Sequence, residues 1–177
     1  MVAYGVVIAM TIAVYLFATQ MKYDKGRIDR ITVTFFFLAY IFLLCSRDIS
    51  IGVDTKHYVK TYEMMSQLNW TSAFALGNAD VGFVFLEKLI AFFGGTRLFI
   101  SVVAIVTVLP VMYLYKNEAE GSMICISFFL ISLLFEMFFS GMRQGIAIAL
   151  AVPAYYMVKK KKDYAFHINS DTSMSVP

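Results

Sequence analysis

Histidine, cysteine, proline and tryptophan are scarce in this 177-residue chain, with two, two, three and one residue respectively. No histidine or cysteine pair stands at ligand spacing, so nothing in the sequence argues for a metal. Cys45 and Cys125 both lie inside apolar runs and read as small buried hydrophobes rather than as a disulfide pair. Charge is sparse as well: 15 Lys and Arg against 12 Asp and Glu leave a net +3, too little to argue for nucleic acid. No internal repeat is visible. The N-terminus has neither the basic start nor the small-residue cleavage site of a removable signal, so 3–19 reads as a retained first span.

What fills the chain is apolar. Sixty per cent of its residues are hydrophobic and 16% aromatic, and the mean hydropathy is +0.72. A hydrocarbon layer of about 30 Å needs about 20 helical residues and tolerates roughly 17. Spans are expected at 2–20, 31–46, 97–115, 122–139 and 143–158. They are helical because in lipid only helices and closed barrels satisfy their backbone. The expected fold is an all-α polytopic membrane bundle of about five transmembrane helices. A further apolar stretch, 81–93, would be only about 20 Å long and is interrupted by Glu87 and Lys88. That length suits an interfacial or re-entrant helix better than a span.

Charge parity orients the bundle. With five spans and an external N-terminus, Lys22, Lys25, Arg27, Arg30, Lys116 and 159–162 fall in the cytoplasm, nine of the 15 cations. If 80–95 also crossed, the lysine run would move outside. The transmembrane domain is therefore expected over 1–164, with one outward-facing excursion at 46–96 and an unstructured polar tail at 165–177. Within the excursion, Tyr58, Tyr62 and Met65 recur at helical spacing opposite Lys56, Lys60 and Glu63. This pattern predicts an amphipathic helix lying on the membrane surface.

Three blocks carry a resemblance: RDISIGVDTKHYVKTYE (Arg47 to Glu63), DVGFVFLEKLI (Asp80 to Ile90) and FFSGMRQGIAIALAVPAYYMVKKKK (Phe138 to Lys162). In that order they resemble the EpsG family of bacterial exopolysaccharide polymerases, relatives of the Wzy-type polymerases. The resemblance covers roughly 1–164 and looks like the N-terminal half of such a protein, because the ending KDYAFHINSDTSMSVP replaces further spans and a histidine-containing segment. It implies an enzyme of the cytoplasmic membrane that moves a glycan from a polyprenyl-diphosphate carrier onto the next lipid-linked repeat unit at the outer face, as in capsule and exopolysaccharide assembly. No soluble cofactor is implied. The partners implied are the lipid-linked glycan, membrane lipids and other assembly proteins. A truncated, inert product or a fragment of a lipid-linked oligosaccharide transporter is the non-enzymatic alternative.

A diphosphate leaving group gains negative charge as its bond breaks, and a planar guanidinium offsets that charge best. Arg143, at the outer end of the fifth span, fits that role, with Gln144 as an added donor; the bland alternative is that it snorkels to a lipid phosphate. Arg47 matches a family block and could also face a diphosphate, whereas Arg97 reads as an interfacial anchor. Asp48 and Asp54 are candidate bases for the acceptor hydroxyl. Asp54 also suits a helix N-cap, with Gly52 making the turn before it. His57 could shuttle a proton, and Tyr58 and Tyr62 could stack on sugar rings or serve as ordinary interfacial aromatics. Glu87 and Glu136 should point inward. Glu136 could pair with Arg143, and Glu87 with Lys88 could border the substrate cavity. Gly145 either admits a ligand or packs against another helix.

Overall fold

A computed structural model describes residues 2–173 apart from 22, 53, 77–80, 119–120, 133–134, 136 and 139–140. Side chains are described up to Lys159, apart from those of Val2 and Glu118. The described chain is helical: α1 (Val2–Gln20), α2 (Lys25–Ser46), α3 (Thr55–Gln67), α4 (Trp70–Leu76), α5 (Val81–Phe93), α6 (Thr96–Glu118), α7 (Ser122–Ile131) and α8 (Met142–Ser173). The expected all-α membrane bundle is what forms. Among the described residues three helices, at Ala3–Gln20, Lys25–Ser46 and Thr96–Asn117, are long and apolar enough to cross a membrane.

The antiparallel pair α2 and α6 is the centre, with α1 and α7 against α2 and α8 against α6. On α2, Val33, Phe36, Phe37, Tyr40 and Leu44 recur at three- and four-residue steps and are at most 1% exposed. Ile31, Leu38 and Phe42 on the same helix face outward. In lipid such an outer surface costs nothing, and helices associate through close packing instead of escape from water. Phe129 of α7 supplies that packing, with its ring centroid 5.0 Å from Phe37, 5.5 Å from Tyr40 and 6.0 Å from Phe36. Edge-to-face contacts of this kind add about 0.5–1.5 kcal/mol each. Three buried threonine hydroxyls within the spans are satisfied on their own helices: Thr11, Thr32 and Thr107 donate to carbonyls four residues back at 2.7, 2.9 and 2.8 Å.

Three expectations need correction. The span expected at 122–139 is not one helix, because α7 stops at Ile131 and Ser132 is extended. At about 15 Å, α7 is half a membrane. The chain beyond the break is tied to α2 through the Tyr40 hydroxyl, which donates to the Phe135 carbonyl at 3.0 Å. Second, the apolar face of α3 does not lie on lipid. Tyr58, Val59, Tyr62 and Met65 are buried, and α3 packs on α5 and α6. Lys56, Lys60 and Glu63 stay exposed, as the spacing predicted. In addition, α8 runs to Ser173, into the 165–177 stretch expected to be an unstructured tail. Extending a formed helix costs far less than nucleating one, which favours continuation.

The short helices α3, α4 and α5 gather where α2 ends and α6 begins. The helix α5 is 13 residues long, as expected, and two-faced. Val81, Phe85, Leu89, Phe92 and Phe93 point outward, while Val84, Glu87, Lys88 and Ile90 are buried. Two cations fasten this layer. Lys88 Nζ donates to the carbonyls of Met65, Ser66 and Leu68 at 3.3, 3.5 and 2.6 Å, closing the C-terminus of α3. Arg97 Nη1 donates to the Arg47 carbonyl at 2.7 Å and that of Cys45 at 3.4 Å, closing the C-terminus of α2. Arg97 is thus a helix cap besides being an interfacial cation.

Candidate functional site

The loop between α2 and α3 turns at Gly52, whose φ of 98° is left-handed backbone that a side chain resists. The turn aims α3 back across the bundle, so that Tyr58 reaches the start of α8. A close approach positions α8: a Cβ at Gly145 would lie 3.2 Å from both Phe138 Cδ1 and Thr107 Cγ2. Gly145 therefore serves helix packing. Met142, 1% exposed, is buried in the cluster formed by α3, α5 and α6. One residue on, Arg143 meets Tyr58. Its Nε donates to the Tyr58 hydroxyl at 3.4 Å, and its guanidinium carbon lies 5.5 Å from that ring's centroid.

These residues wall a cavity of about 230 Å³ that also takes in His57, Thr61 and, from α5, Phe83 and Glu87. Glu87 is 1% exposed. Among the described residues neither of its carboxylate oxygens has a hydrogen-bond partner. Buried polar groups are nearly always paired, so such a carboxylate stands out. Burial disfavours its charged form and pushes its pKa up to about 7, with the Arg143 guanidinium pulling the other way. The site thus joins a permanent cation held over an aromatic ring to a carboxylate poised between its two protonation states.

Of the residues singled out in the sequence, Arg143, Tyr58, His57 and Glu87 come together here. The others do not. Tyr62 is 2% exposed; its ring stacks on Phe99 at 4.5 Å and its hydroxyl donates to the Gly94 carbonyl at 2.6 Å. Arg47 is buried, within electrostatic reach of Tyr40 and Tyr4. Asp48 is exposed, and its Oδ1 accepts from the Ser50 N–H at 2.8 Å. That bond and the Ser50 hydroxyl hold its carboxyl below the usual range. Asp54 occupies the N-cap position of α3, as its alternative reading had it, without a side-chain cap hydrogen bond. Gln144 is exposed, its amide oxygen folded against Gly141. Glu136 lies outside the described residues. The expected Glu87–Lys88 partnership divides, because neighbours on a helix point about 100° apart: Glu87 faces the cavity and Lys88 the end of α3. Thr61 and Phe83 were missed; Phe83 stands one helical turn before Glu87, a spacing that could have found it.

The EpsG family model matches residues 4–168. The chain belongs to the EpsG family. It is a multi-pass membrane protein of an exopolysaccharide polymerase type. No curated protein and no solved structure matches it.

Proposed function

We propose that the cavity between α3, α5 and α8 is where this EpsG-family protein transfers a glycan from a polyprenyl-diphosphate carrier to the end of a lipid-linked repeat unit. The observation carrying this reading is the pairing, in one cavity, of the Arg143 guanidinium with the buried Glu87 carboxylate that no described group hydrogen-bonds. Glu87 takes the proton of the acceptor hydroxyl, whose oxygen attacks the anomeric carbon of the donor sugar. The bond from that carbon to the diphosphate oxygen breaks, and its electron pair leaves with the diphosphate. Arg143, steadied by Tyr58, balances the charge that develops there. A base with a pKa near 7 is matched to proton transfer at neutral pH. The volume of about 230 Å³ is below the 300–1,000 Å³ usual for sites that engulf a ligand, so the cavity accepts a sugar or phosphate end and leaves the prenyl chain outside.

Transport would call for polar groups near the middle of the bilayer. Midway along α2 the core is the aromatic cluster around Phe36, Phe37 and Phe129, which favours chemistry at one end. The distribution of Lys and Arg supports an orientation with that end, and the N-terminus, outside the cytoplasmic membrane. An impermeant thiol reagent should label Ser66→Cys on intact cells; labelling only after permeabilisation would reverse this orientation. The chemical test is Arg143→Lys. A lysine keeps the charge and loses the planar fork, so polymer should vanish while the amount of protein in the membrane stays unchanged. Polymer of normal length would remove Arg143 from the site.

A further inference from the structure

The end of the α2–α6 pair remote from the cavity holds a second concentration of charge. Lys25, Arg27 and Arg30 stand on the first turns of α2, and Lys116 on the last turn of α6. Two hollows meet there. One, of about 440 Å³, is lined by Lys25, Asp29, Arg30, Lys116 and Asn117 among others. The second, of about 520 Å³, follows the outer face of α2 over Ile31, Phe35 and Leu38, with Arg27, Arg30 and Lys116 at its mouth. Arg30 and Lys116 line both.

The carboxylates described nearby, Asp24 and Asp29, are turned to other work. Asp29 Oδ1 accepts the Ser122 N–H at 2.8 Å, capping α7 from a different helix. Asp24 accepts the Gly26 N–H at 3.1 Å. The Arg30 side chain spares one donor for the Gly26 carbonyl, and the Arg27 guanidinium lies 5.3 Å from the Tyr23 ring centroid. All three cations at the mouth of the second hollow are exposed. Ile31, Phe35 and Leu38 lie four and three residues apart, making one apolar track that leads from those cations along a helix long and apolar enough to cross a membrane.

We propose that this is a binding site for an anionic phospholipid, its phosphate held by Arg27, Arg30 and Lys116 and one acyl chain laid along Ile31, Phe35 and Leu38. Charge complementarity selects the anionic headgroup, since a zwitterionic lipid brings no net charge to three clustered cations. Continuity with the apolar track selects a lipid over a soluble phosphate, which would use the polar hollow alone. The site does not depend on the glycan chemistry proposed for the other end.

The test is native mass spectrometry of the full chain released from mixed micelles containing equal amounts of phosphatidylglycerol and phosphatidylcholine. Phosphatidylglycerol should stay bound preferentially. The triple variant Arg27→Gln, Arg30→Gln, Lys116→Gln should lower that preference about tenfold or more. Because all three side chains are exposed, helix content by circular dichroism should not change; if the triple variant does not fold, Lys116→Gln alone must still lower the preference measurably. Three results would overturn the proposal: equal retention of the two lipids, a preference surviving in the variants and therefore owed to the lysines at 159–162, or displacement of the lipid by an equal concentration of soluble glycerophosphate.

Discussion

The two ends of the α2–α6 pair use charge in opposite ways. Beside the cavity the cations are engaged and a carboxylate is left over: Lys88 and Arg97 close the C-termini of α3 and α2, while Glu87 has no hydrogen-bond partner among the described residues. At the other end the described carboxylates Asp24 and Asp29 are engaged at helix N-termini, and the cations line open hollows. Capping is the cheapest use of a charge near a helix end, because the orphan N–H and C=O groups there need partners anyway. A buried carboxylate that caps nothing is the departure from that rule, and such departures concentrate where chemistry is done.

The sharpest way to break the comparison is Glu87→Gln. If Glu87 is the base, polymer formation should fall by roughly 10²–10⁴-fold. Thermal stability in detergent should hold or rise, because a neutral amide replaces a carboxyl with no partner. A large drop in melting temperature would reveal a structural role instead. The same substitution should erase a pH dependence. With an ordinary value of 4.5 raised to about 7 by burial, ionisation of Glu87 is penalised only in the folded chain. Its neutral form is favoured at low pH, so the native chain should lose stability as pH rises from 4.5 through 7. Polymer formation should run the other way, rising toward a plateau above pH 7 as the base is unmasked. Assays across that range with and without Glu87→Gln check both signs.

Lys88→Met should come next in size. It removes a charged donor from three carbonyls, each within 3.5 Å, and should destabilise the folded chain by about 2–3 kcal/mol in chemical denaturation. An unchanged denaturation midpoint would mean that α3 closes without it. The smallest effects compare two aspartates at helix N-termini. Asp29→Ala should cost about 1 kcal/mol, since its carboxylate caps α7 at 2.8 Å. Asp54→Ala, which removes no cap hydrogen bond, should cost a few tenths at most by the same assay.

Much of this architecture was legible beforehand, for identifiable reasons. The spans within α1, α2 and α6 follow from the length of their apolar runs, and the apolar face of α3 follows from Tyr58, Tyr62 and Met65 at helical spacing, although it meets α5 and α6 rather than lipid. The break at Ser132 was hidden because 122–139 is apolar but for three serines and Glu136, and hydropathy has no term for a carbonyl taken by Tyr40 from a distant helix. Arg143 was found because a guanidinium between apolar runs is costly. Asp48 and Asp54 looked like bases because transfer to a sugar hydroxyl benefits from a carboxylate, yet both end in turn and cap positions outside the cavity. The roles of Glu87 and Lys88 were inseparable in the sequence, where they are simply adjacent.

The sequence by itself determined the solvent this protein lives in, the long apolar helices α1, α2 and α6 and the residues able to carry charge among them, since those depend on composition and period alone. Tertiary structure decided which charges meet. Tyr58 and Arg143 are 85 residues apart, and Lys88 and Leu68 are 20 apart. Only the packing of α3 and α5 against α6 and α8 determines that Lys88 finds carbonyls while Glu87, one residue earlier, is left facing a cavity with a guanidinium in its wall.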